Sequence, residues 1–261
     1  MKLNNTFVIF DSGSIVNDGE WRHTHEIISV CINAMRWPNK PRVRSFKIPS
    51  IISIPAGGLY VDERGRQQMA EQKKTLRNGV RPMRDQFRSW MGKYKCRPEE
   101  PISLVPFFKN LREKSSTVFT KYPQTNEIEK VALNESVGDI DFSFRTKDGF
   151  RAIVEWETGN ISSSHRSLNK MCLGLMGGLA EAAVLVVPSK NLYPHLTDRI
   201  GNIRELEPYF YFWNQFGRLI DRGLLAVIEV EHDELFKSTD LREFIPSGAD
   251  GNSKRASTEQ R

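Results

Sequence analysis

Apolar and polar positions alternate in two neighbouring segments near the middle of the chain. In the first, Ile140, Phe142 and Phe144 share one parity while Asp139, Asp141 and Ser143 share the other. In the second, Phe150, Ala152, Val154 and Trp156 form an apolar face and leave Glu155 and Glu157 on the opposite side. Side chains alternate across a strand, so this pattern predicts two strands, each with an acidic edge. The intervening Thr146-Lys147-Asp148-Gly149 is a turn signal that makes the pair a hairpin over about 138–157.

The flanking pattern predicts alternating elements. Leu168, Met171, Cys172, Leu175, Met176 and Leu179 recur at helical spacing, which predicts a helix over 163–180. Ala182 to Val187 is an unbroken apolar run closed by Pro188, the signature of a buried strand. Helical stretches near 189–196 and 202–216 follow, then a strand over 224–231. Upstream, Pro82 opens a helix carrying Met83, Phe87, Trp90, Met91 and Tyr94 on one face. Residues 1–62 read as β-rich, with apolar runs at 6–10, 27–32 and 48–54, and 64–77 is helical in composition. Phe107, Phe108 and Leu111 suggest a short amphipathic helix inside the mixed segment 101–136. The expected fold is α/β, a mixed central sheet flanked by helices on both faces, in one domain over 1–261. Pro246 to Arg261, rich in Gly, Ser and charge, is expected to be a mobile C-terminal arm.

Composition narrows the function classes. With 261 residues and 39% hydrophobic content, the chain can bury one sizeable core. A formal charge of +6 and a pI near 9.2 suit an anionic partner without naming it. Cys31, Cys96 and Cys172 are odd in number and far apart, which argues against a disulfide framework or a zinc site. No apolar run reaches transmembrane length and the N-terminus lacks a signal-peptide core. These features predict a cytoplasmic protein with no membrane partner.

Acidic residues on the outer face of a half-buried strand are ordinarily just solvated. Here Asp141 on one strand faces Glu155 and Glu157 on the next, and three converging carboxylates repel one another unless a cation neutralises them. Carboxylate oxygens are hard ligands suited to Mg²⁺. The cluster therefore reads as a metal-dependent hydrolytic centre.

The stretch Glu155-Trp156-Glu157-Thr158-Gly159-Asn160-Ile161-Ser162, continuing through Arg166, Asn169 and Lys170, resembles the BamHI family of type II restriction endonucleases. So do Leu196-Thr197-Asp198-Arg199, Glu205 to Phe210 and Ile245 to Arg255, with a weaker match at Asn78-Gly79-Val80 and Pro82. The resemblance covers about 78–100 and 138–255 in the same order. It implies the PD-(D/E)xK nuclease fold and cleavage of double-stranded DNA at a short palindrome. In that pattern Asp141 and Glu155 are metal ligands, Glu157 stands where most of the superfamily has Lys, and Glu99 is the further acidic ligand, with Glu100 as its neighbour and competitor. Asn160, Ser162, Arg166, Asp198 and Arg199 match positions that read the major groove, Arg to guanine and Asp to cytosine. Asp250 and Asn252 match a segment near the minor groove, where Asn252 replaces a Met.

The resemblance also implies a homodimer, a Mg²⁺ cofactor, a prokaryotic cytoplasmic setting beside a cognate DNA methyltransferase, and GGATCC as the site, cut to leave 5′ staggered ends. Gly177 and Met176 replace charged positions of the family's dimer interface, and Tyr211 replaces a Glu, so apolar contact is expected there. Two alternatives stay open: a nuclease of the same fold with another GATC-containing site, and a catalytically silent sequence-specific DNA-binding protein.

Overall fold

The computed structural model describes residues 1–40, 42–95, 97–103, 120–121, 129–130, 136–197 and 200–247. Six strands build the central sheet: β1 (Lys2–Ser12), β2 (Arg97–Ser103), β3 (Ser136–Arg145), β4 (Arg151–Trp156), β5 (Ala182–Pro188) and β6 (Gly223–Glu231). Their spatial order is β1-β6-β5-β4-β3-β2. The sheet is mixed: β4, β5 and β6 run parallel, and β1, β3 and β2 pair antiparallel to their neighbours. Every residue of β5 and β6 is buried, as the apolar runs Ala182–Val187 and Leu224–Ile228 require of strands covered on both faces.

Two cores result. Ala152, Val154, Trp156, Val184 and Ile228 point to one face, packed by α1 (Gly19–Ala34) and α2 (Arg81–Gly92). Ile153, Leu185 and Val227 point to the other, packed by α3 (Ile161–Met176), α4 (Ile203–Leu206) and α5 (Phe210–Asn214). This is the α/β layering the sequence predicts. Among the described residues no helix is long and apolar enough to cross a membrane.

Several expectations are corrected. Residues 27–32 lie in α1, where Trp21, Thr24, Ile27, Ile28, Cys31 and Ile32 are buried at helical spacing. The β-branched run imitates a strand, and tertiary packing overrides that local preference. Residues 64–77 are not helical; Gln67–Met69 and Lys74–Leu76 are short strands that pair antiparallel with Leu59–Val61 and Ile52–Ile54. A polar stretch has no apolar stripe to hold a helix against a core. The 189–196 helix reduces to a 3₁₀ turn at Tyr193–His195, and 202–216 breaks into α4, a 3₁₀ turn at Glu207–Tyr209 and α5. Pro208 interrupts the latter by removing a backbone donor. The helix expected around Phe107 to Leu111 and the arm from residue 248 onward lie outside the described residues.

Candidate active site

The β3–β4 hairpin is regular from its turn inward and then stops. Its ladder runs from Arg145↔Arg151 to Phe142↔Val154. Beyond that point the Trp156 N–H donates to the Asp141 side chain, Oδ2, at 2.9 Å. A carboxylate thus takes a place that a backbone carbonyl would occupy in a continuing ladder, and Asp141 is fixed where the strands part. The parity expectation fails here: Phe142 and Phe144 enter the α1–α2 core, whereas Ile140 enters the opposite one. Rings brace the parting from beneath, with Phe87 of α2 centred 5.3 Å from Phe142 and 4.9 Å from Trp156.

Glu155 and Glu157 point to the α3 face, as the alternation predicts, but they are buried rather than solvated. Helix α3 meets them with polar groups on its inner side. Ser167 Oγ donates to Glu155 Oε2 at 2.7 Å. The Lys170 ammonium forms an ion pair with Glu155 Oε1 and donates to the Asp139 carbonyl. Glu157 accepts from the Gly159 N–H through Oε1 and from Ser164 Oγ through Oε2, each at 2.5 Å. Ser164 fits only because Gly201 lacks a side chain; a Cβ there would collide with its Oγ.

Burial pushes the Glu157 carboxyl up to about 7, against the lowering effect of its two donors and with a further upward push from Glu155. Burial also raises Asp141, reinforced by Glu155 and opposed by the Trp156 N–H, Arg84 and Lys170. Arg84 of α2 holds Nη1 4.0 Å from Asp141 Oδ1.

Glu99 lies on β2 level with Asp141, bracketed by the pairs Ile140↔Glu100 and Phe142↔Pro98. This register favours Glu99 over Glu100 as the acidic residue opposite Asp141. Among the described residues, no three His, Cys, Asp or Glu side chains converge closely enough to hold a metal ion by themselves.

Asn160 is the N-cap of α3, its side chain accepting from the Ser163 N–H at 3.2 Å. Asn160, Ser162 and Arg166 are all exposed along the first turns of that helix. Asp198, Arg199, Asp250 and Asn252 lie outside the described residues. Their flanks are described and come together: Thr158, Thr197 and Ser247 line one cleft of about 710 Å³ beside Lys74, Arg77 and Arg81. A bridge between Asn160 and Ile200 ties the start of α3 to the segment that follows Arg199.

The sequence reading overlooked Ser164, Ser167, Lys170 and Arg84. The signal for the first two was present: small polar residues at core-facing positions of an otherwise apolar helical stripe, opposite a strand carrying two Glu. Lys170 and Arg84 carry no such mark.

The chain matches the family model for restriction endonuclease BamHI over residues 1–252. It belongs to the BamHI restriction endonuclease family. Type II restriction enzyme OkrAI of Oceanobacter kriegii is 49% identical over 102 residues, 39% of this chain and 50% of that one. Type II restriction enzyme BamHI of Bacillus amyloliquefaciens is 42% identical over 106 residues, 41% of this chain and 45% of that one. The matched stretch thus spans about half the length of each of these relatives. The crystal structure of restriction endonuclease BglII complexed with a DNA 16-mer shares the fold, with a TM-score of 0.51, 10% identity, and coverage of 95% of this chain and 88% of that one.

Proposed function

We propose that this protein is a homodimeric, Mg²⁺-dependent type II restriction endonuclease that cuts double-stranded DNA at GGATCC and leaves 5′ staggered ends. The observation that carries the reading is the parted hairpin, in which Asp141 takes the Trp156 N–H next to Glu155 and Glu157, while Thr158 and Gly159, which follow Glu157, line a cleft with Lys74, Arg77 and Arg81. Family membership supports it independently.

The residues fit a divalent cation. Asp141 and Glu155 are neighbouring carboxylates that offer hard oxygen donors, and Asp141 is raised by burial with a further push from Glu155. Asp141, Glu155 and Glu99 would hold Mg²⁺, which would supply positive charge to oppose the negative charge that develops on the phosphate and the departing 3′ oxygen. Lys170 and Ser167 fix the orientation of Glu155 from α3. Glu157, with its carboxyl near 7, accepts a proton from the attacking water close to neutral pH. Lys74, Arg77 and Arg81 neutralise backbone phosphates and set the register of the duplex.

Asn160, Ser162 and Arg166 face the major groove from the start of α3, and Asp198 and Arg199 read the two members of one G·C pair. Asp250 and Asn252 approach the minor groove. The dimer forms through the segment 209–219, where Tyr211 is 77% exposed, Phe212 56% and Leu219 67%. Large apolar side chains this exposed and this close together mark a surface that is covered in use. A two-fold protein matches a palindromic site. In the prokaryotic cytoplasm the enzyme works beside a cognate DNA methyltransferase that protects the host's own sites.

Incubation of the purified protein with plasmid, in Mg²⁺ and then in EDTA, tests this directly. Linear fragments ending at GGATCC, formed only with Mg²⁺, are expected. Sequence-selective binding without cleavage would leave the silent DNA-binding reading standing instead. Cleavage at another GATC-containing hexamer would replace the site and keep the nuclease.

A further inference from the structure

Asn78 is completely buried in the loop between the strand Lys74–Leu76 and α2, and it binds three distant parts of the chain at once. Its backbone N–H donates to the His195 carbonyl at 2.8 Å, and its own carbonyl accepts from the Thr197 N–H at 2.6 Å. Its side-chain Nδ2 donates to the His195 carbonyl at 3.0 Å and to the Pro49 carbonyl at 2.8 Å. Oδ1 accepts from the Ile245 N–H at 3.1 Å. Gly79 adds a donor to the Ile245 carbonyl at 2.8 Å, so closely apposed that a Cβ would strike the Pro246 carbonyl.

The two segments held this way lead straight into Asp198-Arg199 and into 250–252. Their last described residues, Thr197 and Ser247, line the same cleft as Thr158. We infer that Asn78 is a positioning residue for sequence recognition, fixing the segment that ends at Thr197 and the segment that ends at Ser247 in one relative register on the cleft wall. The inference rests on the nuclease reading above.

Only an amide does this work. Two carbonyls require donors and one N–H requires an acceptor, all inside a buried space. Asp lacks the donors, and Ala strands the Pro49 carbonyl and the Ile245 N–H and leaves the His195 carbonyl only its backbone donor. Base discrimination tolerates little displacement, since a recognition group must be held to about 0.5 Å of its productive position. Loosening this junction therefore degrades selectivity before it degrades the chemistry at Asp141 and Glu155, which rest on other elements.

The test compares cleavage of GGATCC with cleavage of hexamers differing at one pair, for the wild type, Asn78→Ala, Gly79→Ala, Thr197→Pro and the core control Ile28→Val. Gly79→Ala disturbs only the 245–247 contact. Thr197→Pro removes the donor to the Asn78 carbonyl, and Leu196 already has the extended backbone (φ −95°, ψ 156°) that a following proline prefers. These two carry the test if Asn78→Ala is too unstable to assay. We expect at least a tenfold loss of selectivity in each junction variant, with single-turnover cleavage of GGATCC within about threefold of wild type and Ile28→Val unchanged in selectivity. Junction variants that lose cleavage of all sequences alike, or that keep full selectivity, overturn the inference while a selective wild type upholds the nuclease reading. A wild type with no sequence-selective cleavage overturns both.

Discussion

Replacing Glu157 by Gln separates what this residue does for the fold from what it does for chemistry. The carboxyl is 5% exposed and burial lifts it from 4.5 to about 7. In the unfolded chain it returns to its ordinary value. Between these two values the folded protein holds a proton that the unfolded chain releases. Stability from this group is therefore complete below pH 4.5 and is lost as pH rises through 7. The displacement corresponds to about 3 kcal/mol above pH 7. Gln has nearly the same shape and no charge. Its carbonyl can accept from the Gly159 N–H, and its amide can donate to Ser164 Oγ, so neither partner is stranded.

Glu157→Gln should therefore be more stable than the wild type by about 3 kcal/mol at pH 8, with the gap shrinking below ~1 kcal/mol at pH 5. At 2–4 °C per kcal/mol for a chain of this size, the gain in Tm at pH 8 is roughly 6–12 °C. Thermal unfolding in EDTA across pH 5 to 8 measures it without a cation to compensate the charge. The same variant should fail to cleave DNA in Mg²⁺. A variant both firmer and inactive is the mark of a residue kept for function at a cost to stability. Unfolding curves that stay parallel across the whole pH range would refute the argument, because they would mean that Glu157 titrates alike in both states.

Asp141→Asn or Glu155→Gln should abolish cleavage while DNA binding survives or tightens, since repulsion from the phosphate falls; measurable cleavage by either variant in matched Mg²⁺ rules out their assignment. Tyr211→Glu combined with Phe212→Glu should convert a dimer to a monomer at micromolar concentration in sedimentation velocity, and an unchanged dimer would move the interface elsewhere. Arg199→Ala should lose discrimination at its base pair by roughly 1–3 kcal/mol per half-site while binding to random DNA changes little. A hexamer-library cleavage map that is unaltered in that variant would leave Asp198-Arg199 as a surface ion pair.

The parts of the fold visible in the sequence are those where burial and period agree. Ala182 to Val187 and Leu224 to Ile228 are unbroken apolar runs because both sheet faces are covered, and they lie in the strands β5 and β6. Helix α3 was legible because its stripe from Leu168 to Leu175 faces one core. Helix α1 was not, since Ile27, Ile28, Cys31 and Ile32 crowd together as they would in a strand. Their helical spacing shows only when Trp21 and Thr24 are counted with them. Short pairs such as Leu59–Val61 with Gln67–Met69 carry no pattern of their own, because exposed two-strand ribbons bury too little to need one.

The candidate site divides along the same line. Strand alternation put Glu155 and Glu157 on one face, and that much is local geometry. Alternation says nothing of what lies opposite, and it is the opposite wall that sets their chemistry. Ser164, Ser167 and Lys170 reach the carboxylates from a helix, and the Asp141 carboxylate takes the Trp156 N–H where the hairpin abandons its ladder after Phe142. An unbroken hairpin would pair Asp141 with Glu155 through the backbone and give the Trp156 N–H to a carbonyl. The departure from regular pairing is what sets a carboxylate between β3 and β4 in a backbone carbonyl's place, and a sequence pattern built on regularity cannot announce where regularity ends.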